Sequence, residues 1–177
     1  MKLMICSDIH GSAKYAEFIK QTFIKENADK LLLLGDVYYH GPRNTLPEDY
    51  NPKKVAEIFN EMTDKLIVIK GNCDAEVDQM ISKFHFVEQS VIMIDGKTIF
   101  ASHGHVYNMD NLPAGKYDAI LYGHFHKTLL ANCNGTVFLN PGSISLPKDD
   151  IRAYAIYNDG KFVLKNLDNK IILELSI

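Results

Sequence analysis

Short apolar runs along this chain end repeatedly on the same few polar residue types. Residues 2–6 (KLMIC) are too few for a helix and stop at Ser7-Asp8, which predicts a buried strand. Behind Ser12, a candidate N-cap, Tyr15, Phe18, Ile19, Thr22 and Phe23 recur at three- and four-residue steps, predicting an amphipathic helix to about Asn27. Residues 30–34 (KLLLL) predict a second buried strand, stopped by Gly35-Asp36, and the order strand, helix, strand implies parallel pairing. Residues 37–50 hold two prolines and a glycine with no period, which reads as a long loop beside a site. Asn51-Pro52 then starts a helix with Val55, Ile58, Phe59 and Met62 inward. A third strand at 65–70 runs into Gly71-Asn72-Cys73-Asp74, and a short helix is expected within 75–83.

From Phe86 onward the pattern changes to strands joined by tight turns at Asp95-Gly96, Asn134-Gly135 and Asp159-Gly160. Strands are expected at 98–102, 118–122, 136–139, 152–157, 161–167 and 170–175. The first two run into His103-Gly104-His105 and Gly123-His124-Phe125-His126. The pattern predicts an α/β fold of two mixed sheets packed face to face with helices outside, in a single domain spanning residues 1–177.

Composition narrows the class. With 46% hydrophobic and 23% charged residues in 177, the chain is neither disordered nor collagen-like nor a coiled coil. A net charge of −3 disfavours non-specific coating of nucleic acid. Cys6, Cys73 and Cys133 are odd in number and lack a CxxC spacing, so a disulfide framework is not indicated and a reducing, cytoplasmic location is expected. No run approaches the ~20 apolar residues of a membrane span, nor does the N-terminus carry a signal-type apolar region.

The strand ends carry the chemistry. Asp8 with His10, Asp36, Asn72, His103 or His105, and His124 with His126 all follow strands, where ligands gather in parallel and mixed sheets. Two carboxylates, an amide and four imidazoles without thiolate suit Mn²⁺, Fe, Zn²⁺, Co²⁺ or Ni²⁺ rather than Ca²⁺. Seven donors exceed what one catalytic ion uses; two ions sharing a carboxylate, roughly 3.5–4 Å apart, use them all. Two such ions outweigh two carboxylates in charge, so the site suits a phosphate whose charge grows in the transition state, and a hydroxide between the ions is the expected nucleophile. Singly, each motif also reads as an ordinary turn or helix cap; together, and in this order, they do not.

The series Asp8-Ile9-His10-Gly11, Gly35-Asp36, Gly71-Asn72-Cys73-Asp74, His103-Gly104-His105 and Gly123-His124-Phe125-His126 resembles the calcineurin-like metallophosphoesterase superfamily, and the short chain resembles its YfcE-type phosphodiesterases. Gly41-Pro42-Arg43-Asn44 and Asn140-Pro141-Gly142-Ser143 extend the likeness over nearly the whole chain. The resemblance implies a four-layer α/β/β/α sandwich and two divalent ions, commonly Mn²⁺. By position it implies Asp8, His10, Asp36 and His126 on one ion and Asp36, Asn72, His103 and His124 on the other, with Asp36 as bridge.

His105 is then either a catalytic or substrate-binding group, facing the phosphate or supporting the ligands from behind, or an ordinary turn histidine. Arg43 is either a phosphate clamp or a solvated loop arginine. Cys73 stands where many relatives have a histidine able to protonate the leaving group, so it is either a substrate-facing residue or a small packed thiol. The missing acid favours a phosphodiester, small or nucleotide-like, over a monoester. The rival reading, a protein-interaction scaffold of the same fold, predicts a decayed metal site. The apolar C-terminal strands leave room for a homo-oligomer as well as for a plain sandwich core.

Overall fold

The computed structural model describes residues 1–177. Strand β1 (Leu3–Cys6) leads into helix α1 (Ala13–Lys25), then β2 (Lys30–Leu33), α2 (Pro52–Asn60), β3 (Leu66–Ile69), a single helical turn α3 (Asp78–Ile81) and β4 (Phe86–Val87). The remainder is β5 (Gln89–Ile94), β6 (Lys97–Ser102), β7 (Ala119–Leu121), β8 (Thr128–Cys133), β9 (Thr136–Pro141), β10 (Ala153–Asn158), β11 (Lys161–Asn166) and β12 (Ile171–Ser176). No helix is long and apolar enough to cross a membrane.

The helices start where the sequence says they should. Ser12 accepts from the Tyr15 N–H at 3.4 Å, and Asn51 Oδ1 accepts from the Lys54 N–H at 3.1 Å with Pro52 in the first turn. Glu26 closes α1 one residue short of the expected end, because Asn27 enters the left-handed region.

Seven strands form one sheet in the order β12-β11-β10-β1-β2-β3-β4, and five form the other, β5-β6-β7-β9-β8. The pairings β1–β2 and β2–β3 are parallel, as the strand–helix–strand order requires, and β1–β10 is antiparallel, so both sheets are mixed. Strand alternation then builds the layers. Leu3 and Ile5 face inward against Ile99, Ala101, Leu121 and Leu139 of the second sheet, while Met4 and Cys6 face α1 and α2. On the second sheet Phe100, Ile120 and Phe138 point outward under Tyr107 and Tyr117. That outer cover is the segment 103–117, whose Gly104, Pro113 and Gly115 interrupt any helical period.

Periodicity alone did not delimit β4, β5 and β8. β8 (TLLANC) is only half-buried, and β5 alternates exposed and covered positions at the rim of its sheet.

The sandwich core carries a direct expectation. Ile99→Ala, at a fully buried inward position, should lower stability by about 2–5 kcal/mol in urea denaturation, whereas Met93→Ala, 82% exposed on the next strand, should change it by less than about 0.5 kcal/mol. Equal effects would mean that the two sheets do not share a packed core.

Candidate metal centre and its cleft

Three strands of the first sheet and two of the second end at one seam. The loops after β1 and β2 are tied by His10 N–H to Asp36 O at 2.8 Å and Asp8 N–H to Gly35 O at 3.1 Å. Across the seam, His124 N–H donates to Asp8 Oδ2 at 3.0 Å and His103 Nδ1 donates to Leu34 O at 2.7 Å. Asp8, His10, Asp36, His124 and His126 all sit in the left-handed backbone region, with φ of 55°, 51°, 54°, 68° and 58°. For non-glycine residues this conformation costs about 1–3 kcal/mol each, so packing and these cross-links must hold it. Gly71 and Gly123 complete the approach: a Cβ at the first would collide with the Asp36 carboxylate, and at the second with the Ser7 hydroxyl and the Asp8 carboxylate.

The imidazoles are oriented by the backbone. His10 Nδ1 donates to Tyr39 O at 2.8 Å, His103 Nδ1 to Leu34 O at 2.7 Å and His126 Nδ1 to Leu146 O at 2.7 Å. A carbonyl only accepts, so each Nδ1 carries its proton and each Nε2 is turned toward the centre, the tautomer that metal-ligating histidines use. His10 Nε2 and His126 Nε2 face each other at 3.0 Å. Two lone pairs at that distance repel unless a proton or a metal ion lies between them.

The carboxylates complete the set. Asp8 Oδ2 is satisfied by Ser7 Oγ at 2.6 Å and His124 N, but its fully buried Oδ1 has no hydrogen bond and lies 3.3 Å from His126 Nε2 and 3.7 Å from His10 Nε2. A buried, orphaned carboxylate oxygen is costly without a cation. Asp36 Oδ2 stands between two histidines, 3.7 Å from His10 Nε2 and 3.4 Å from His103 Nε2, while its Oδ1 accepts from Cys73 N at 2.8 Å. Asn72 Oδ1 is 3.1 Å from His103 Nε2.

Electrostatics agree. Burial acts to raise the Asp8 and Asp36 carboxyls, but the imidazoles beside them, His126 and His103 at Asp8 and His103 and His10 at Asp36, outweigh it and hold both below the usual carboxylate range. Burial disfavours a charged His103, yet Asp36 and Asp8 push it up to about 9. The paired buried carboxylates thus demand positive charge among the histidines. Burial, then the neighbouring His103, lowers His124 and His105.

His124 is half-buried with its ring edge-on to that of His103 at 5.2 Å, so six of the seven expected ligands are linked by direct polar contacts and the seventh stands edge-on beside them. Arg43 and Cys73 line a cleft of about 630 Å³ above Asp36, Asn72, His124 and His126. His105 is exposed on a separate, smaller cavity beside Glu88 and Ser102, with its ring 5.4 Å from that of His103. The Cys73 thiol is pushed up to about 12 by burial and then by Asp36, so it stays protonated.

Several residues to which the sequence assigns no role contribute here. Tyr39, Phe125 and Lys148 line the cleft. Ser143 and Ser145 both donate to Asp8 O, at 2.7 and 3.0 Å, and Asn140 donates to Gly123 O at 2.7 Å. Asp74 is the most consequential: buried, it accepts from Asp36 N at 2.8 Å, Val37 N at 2.8 Å and Gly71 N at 2.7 Å, joining the loops that present Asp36 and Asn72. Its signal was present, a carboxylate three residues after Gly71 in a turn.

Residues 1–159 match the calcineurin-like phosphoesterase superfamily domain. The chain is 43% identical to phosphodiesterase YfcE of Escherichia coli K12, over all of this chain and 98% of that protein. It is 22% identical to the probable metallophosphoesterase YsnB of Bacillus subtilis 168, over 98% of this chain and 100% of that one. A solved structure of YfcE, described as a phosphoesterase from E. coli, superposes with a TM-score of 0.96 at 39% identity, covering 100% of both chains.

Asp74 gives the test. Asp74→Ala leaves three buried N–H groups without an acceptor, at about 1–3 kcal/mol each, and should cost at least about 3 kcal/mol in denaturation. Asp74→Asn keeps one acceptor oxygen and should lose less than half as much. Equal losses would assign Asp74 a role through its charge alone.

Proposed function

The chain belongs to the calcineurin-like phosphoesterase superfamily and is a hydrolase of phosphoric esters, and from that premise we propose a two-metal phosphodiesterase. The observation that carries the metal reading is the convergence of the proton-fixed His10 and His126 on the orphaned Asp8 Oδ1, with Asp8, Asp36 and His103 forming a second such group beside it. Asp8, His10, Asp36 and His126 would hold one ion and Asp36, Asn72, His103 and His124 the other, with Asp36, which stands between His10 and His103, common to both sets. Imidazole and oxygen donors without thiolate suit Mn²⁺, Fe, Zn²⁺, Co²⁺ or Ni²⁺, and the family resemblance favours Mn²⁺ among them. Divalent ions supply Lewis acidity toward phosphoryl oxygens and lower the pKa of water.

The protein's own residues do the rest. Arg43 and Lys148 line the cleft as the cations able to orient an anionic phosphate above the centre. Cys73, held protonated with a pKa of about 12, is a far poorer general acid at neutral pH than the imidazolium that stands there in many relatives. No imidazole stands in its place, which favours a diester monoanion with a competent leaving group over a monoester dianion. His105, outside the cleft, fits an outer role beside His103 better than a contact with substrate. The filled ligand set argues against a non-catalytic scaffold, and the three free cysteines support a reducing cytoplasm.

Chelation should abolish hydrolysis and Mn²⁺ should restore it, with about two ions per chain by elemental analysis. Asp36→Asn should then cost kcat more than His10→Asn does, by about 10²-fold against wild type, since losing a shared ligand disturbs both ions. Equal and mild effects would argue against sharing.

Wild-type protein should show a higher kcat/KM for an activated aryl diester than for the matching monoester. Cys73→His should move that ratio toward the monoester within the 10²- to 10⁴-fold that general acids supply, while Cys73→Ser should not. A wild-type preference for the monoester would sink the diester reading.

A further inference from the structure

Two aromatic rings stand open to solvent at the cleft where a folded chain would ordinarily cover them. Phe125 is 41% exposed and Tyr39 is 43% exposed, and both line the same cleft as Arg43 and Lys148. Each is fixed by the backbone that presents a buried histidine. Phe125 lies between His124 and His126, whose positive φ angles turn the chain outward, and its N–H closes a tight turn onto Gly123 O at 2.8 Å. Its ring is steadied edge-on by Tyr122 at 5.9 Å and His124 at 5.3 Å. Tyr39 uses its carbonyl to hold His10 Nδ1, and its ring meets His40 edge-on at 4.7 Å, which in turn meets Tyr50 at 5.3 Å. Both rings are therefore held in place with a face left free, a preorganised apolar surface beside cations.

We propose that Phe125 and Tyr39 are specificity residues that seat a flat aromatic ring carried on an ester group of the substrate, while Arg43 and Lys148 take the phosphate. The proposal rests on the phosphodiesterase reading above and adds the class of diester. A ring of this kind is supplied by an aryl group or by a nucleobase. Both stack on an aromatic side chain, and an alkyl group does not. Stacking of this sort acts on affinity, so it is read most directly in binding.

The test is calorimetric titration of Mn²⁺-loaded protein with three unactivated diesters that share one methyl ester: dimethyl phosphate, methyl phenyl phosphate and thymidine 5′-(methyl phosphate). Wild-type protein should bind at least one ring-bearing diester about tenfold more tightly than dimethyl phosphate. A gain for both identifies the ring as the shared determinant, and a gain for one alone assigns the seat to aryl or to nucleoside groups. Phe125→Leu and Tyr39→Leu should each erase most of that ratio, and Phe125→Tyr should keep it, a split that mere loss of packing would not give. Three diesters bound alike, or a ratio untouched in both leucine variants, would overturn the proposal. A protein that prefers rings yet fails to cleave any activated diester would leave the seat standing and overturn the phosphodiesterase reading beneath it.

Discussion

Two carboxylates, Asp8 and Asp36, are buried at the seam where two sheets end, and almost every feature around them answers the cost of that burial. A carboxylate taken out of water must be hydrogen-bonded, paired or bound to a metal. Asp8 spends one oxygen on Ser7 and on the His124 N–H of the opposite sheet, and Asp36 spends one on the Cys73 N–H. The other oxygen of each is left facing histidines whose Nδ1 protons are already committed to carbonyls. What such a centre lacks is positive charge, and a divalent cation satisfies oxygens and imidazoles together.

Holding this arrangement imposes strain that the sandwich must absorb. Five residues at the centre adopt left-handed backbone, and glycines stand wherever a Cβ would strike a carboxylate. These conformations persist because the strands that precede them are locked between apolar layers, the inter-sheet core on one side and, on the other, the helix-facing core for β1 and β2 and the outer cluster of Phe100, Ile120 and Phe138 for β7. The polar brace behind the centre works in the same sense. Asp74 gathers three N–H groups from two loops, and Ser143 and Ser145 grip the Asp8 carbonyl from the segment before β10. Stability and preorganisation are thus the same interactions counted twice.

The cleft above the centre is built on the opposite principle. Asp36 and His126 at its floor are buried, whereas Arg43, Phe125 and Lys148 are exposed side chains on loops. Such a division would let one chemistry be kept while the outer residues vary.

Much of this was legible in the chain. Short apolar runs stopped by Asp8, Gly35-Asp36, Gly71-Asn72, His103 and Gly123-His124 revealed both the parallel strands and the donors, because a strand's apolar length and the residue at its end are local facts. The caps Ser12 and Asn51-Pro52 were equally local. Strands β4, β5 and β8 were not, since a half-buried strand is defined by its partner rather than by its own pattern. Nor could spacing say that Asp74 would hold the backbone of Asp36, that His105 would turn away from the cleft, or that Phe125 and Tyr39 would meet at one opening. Asp36 and Asp74, 38 positions apart, meet only because β2 and β3 pair within one sheet, and Tyr39 and Phe125, 86 positions apart, only because one sheet packs on the other.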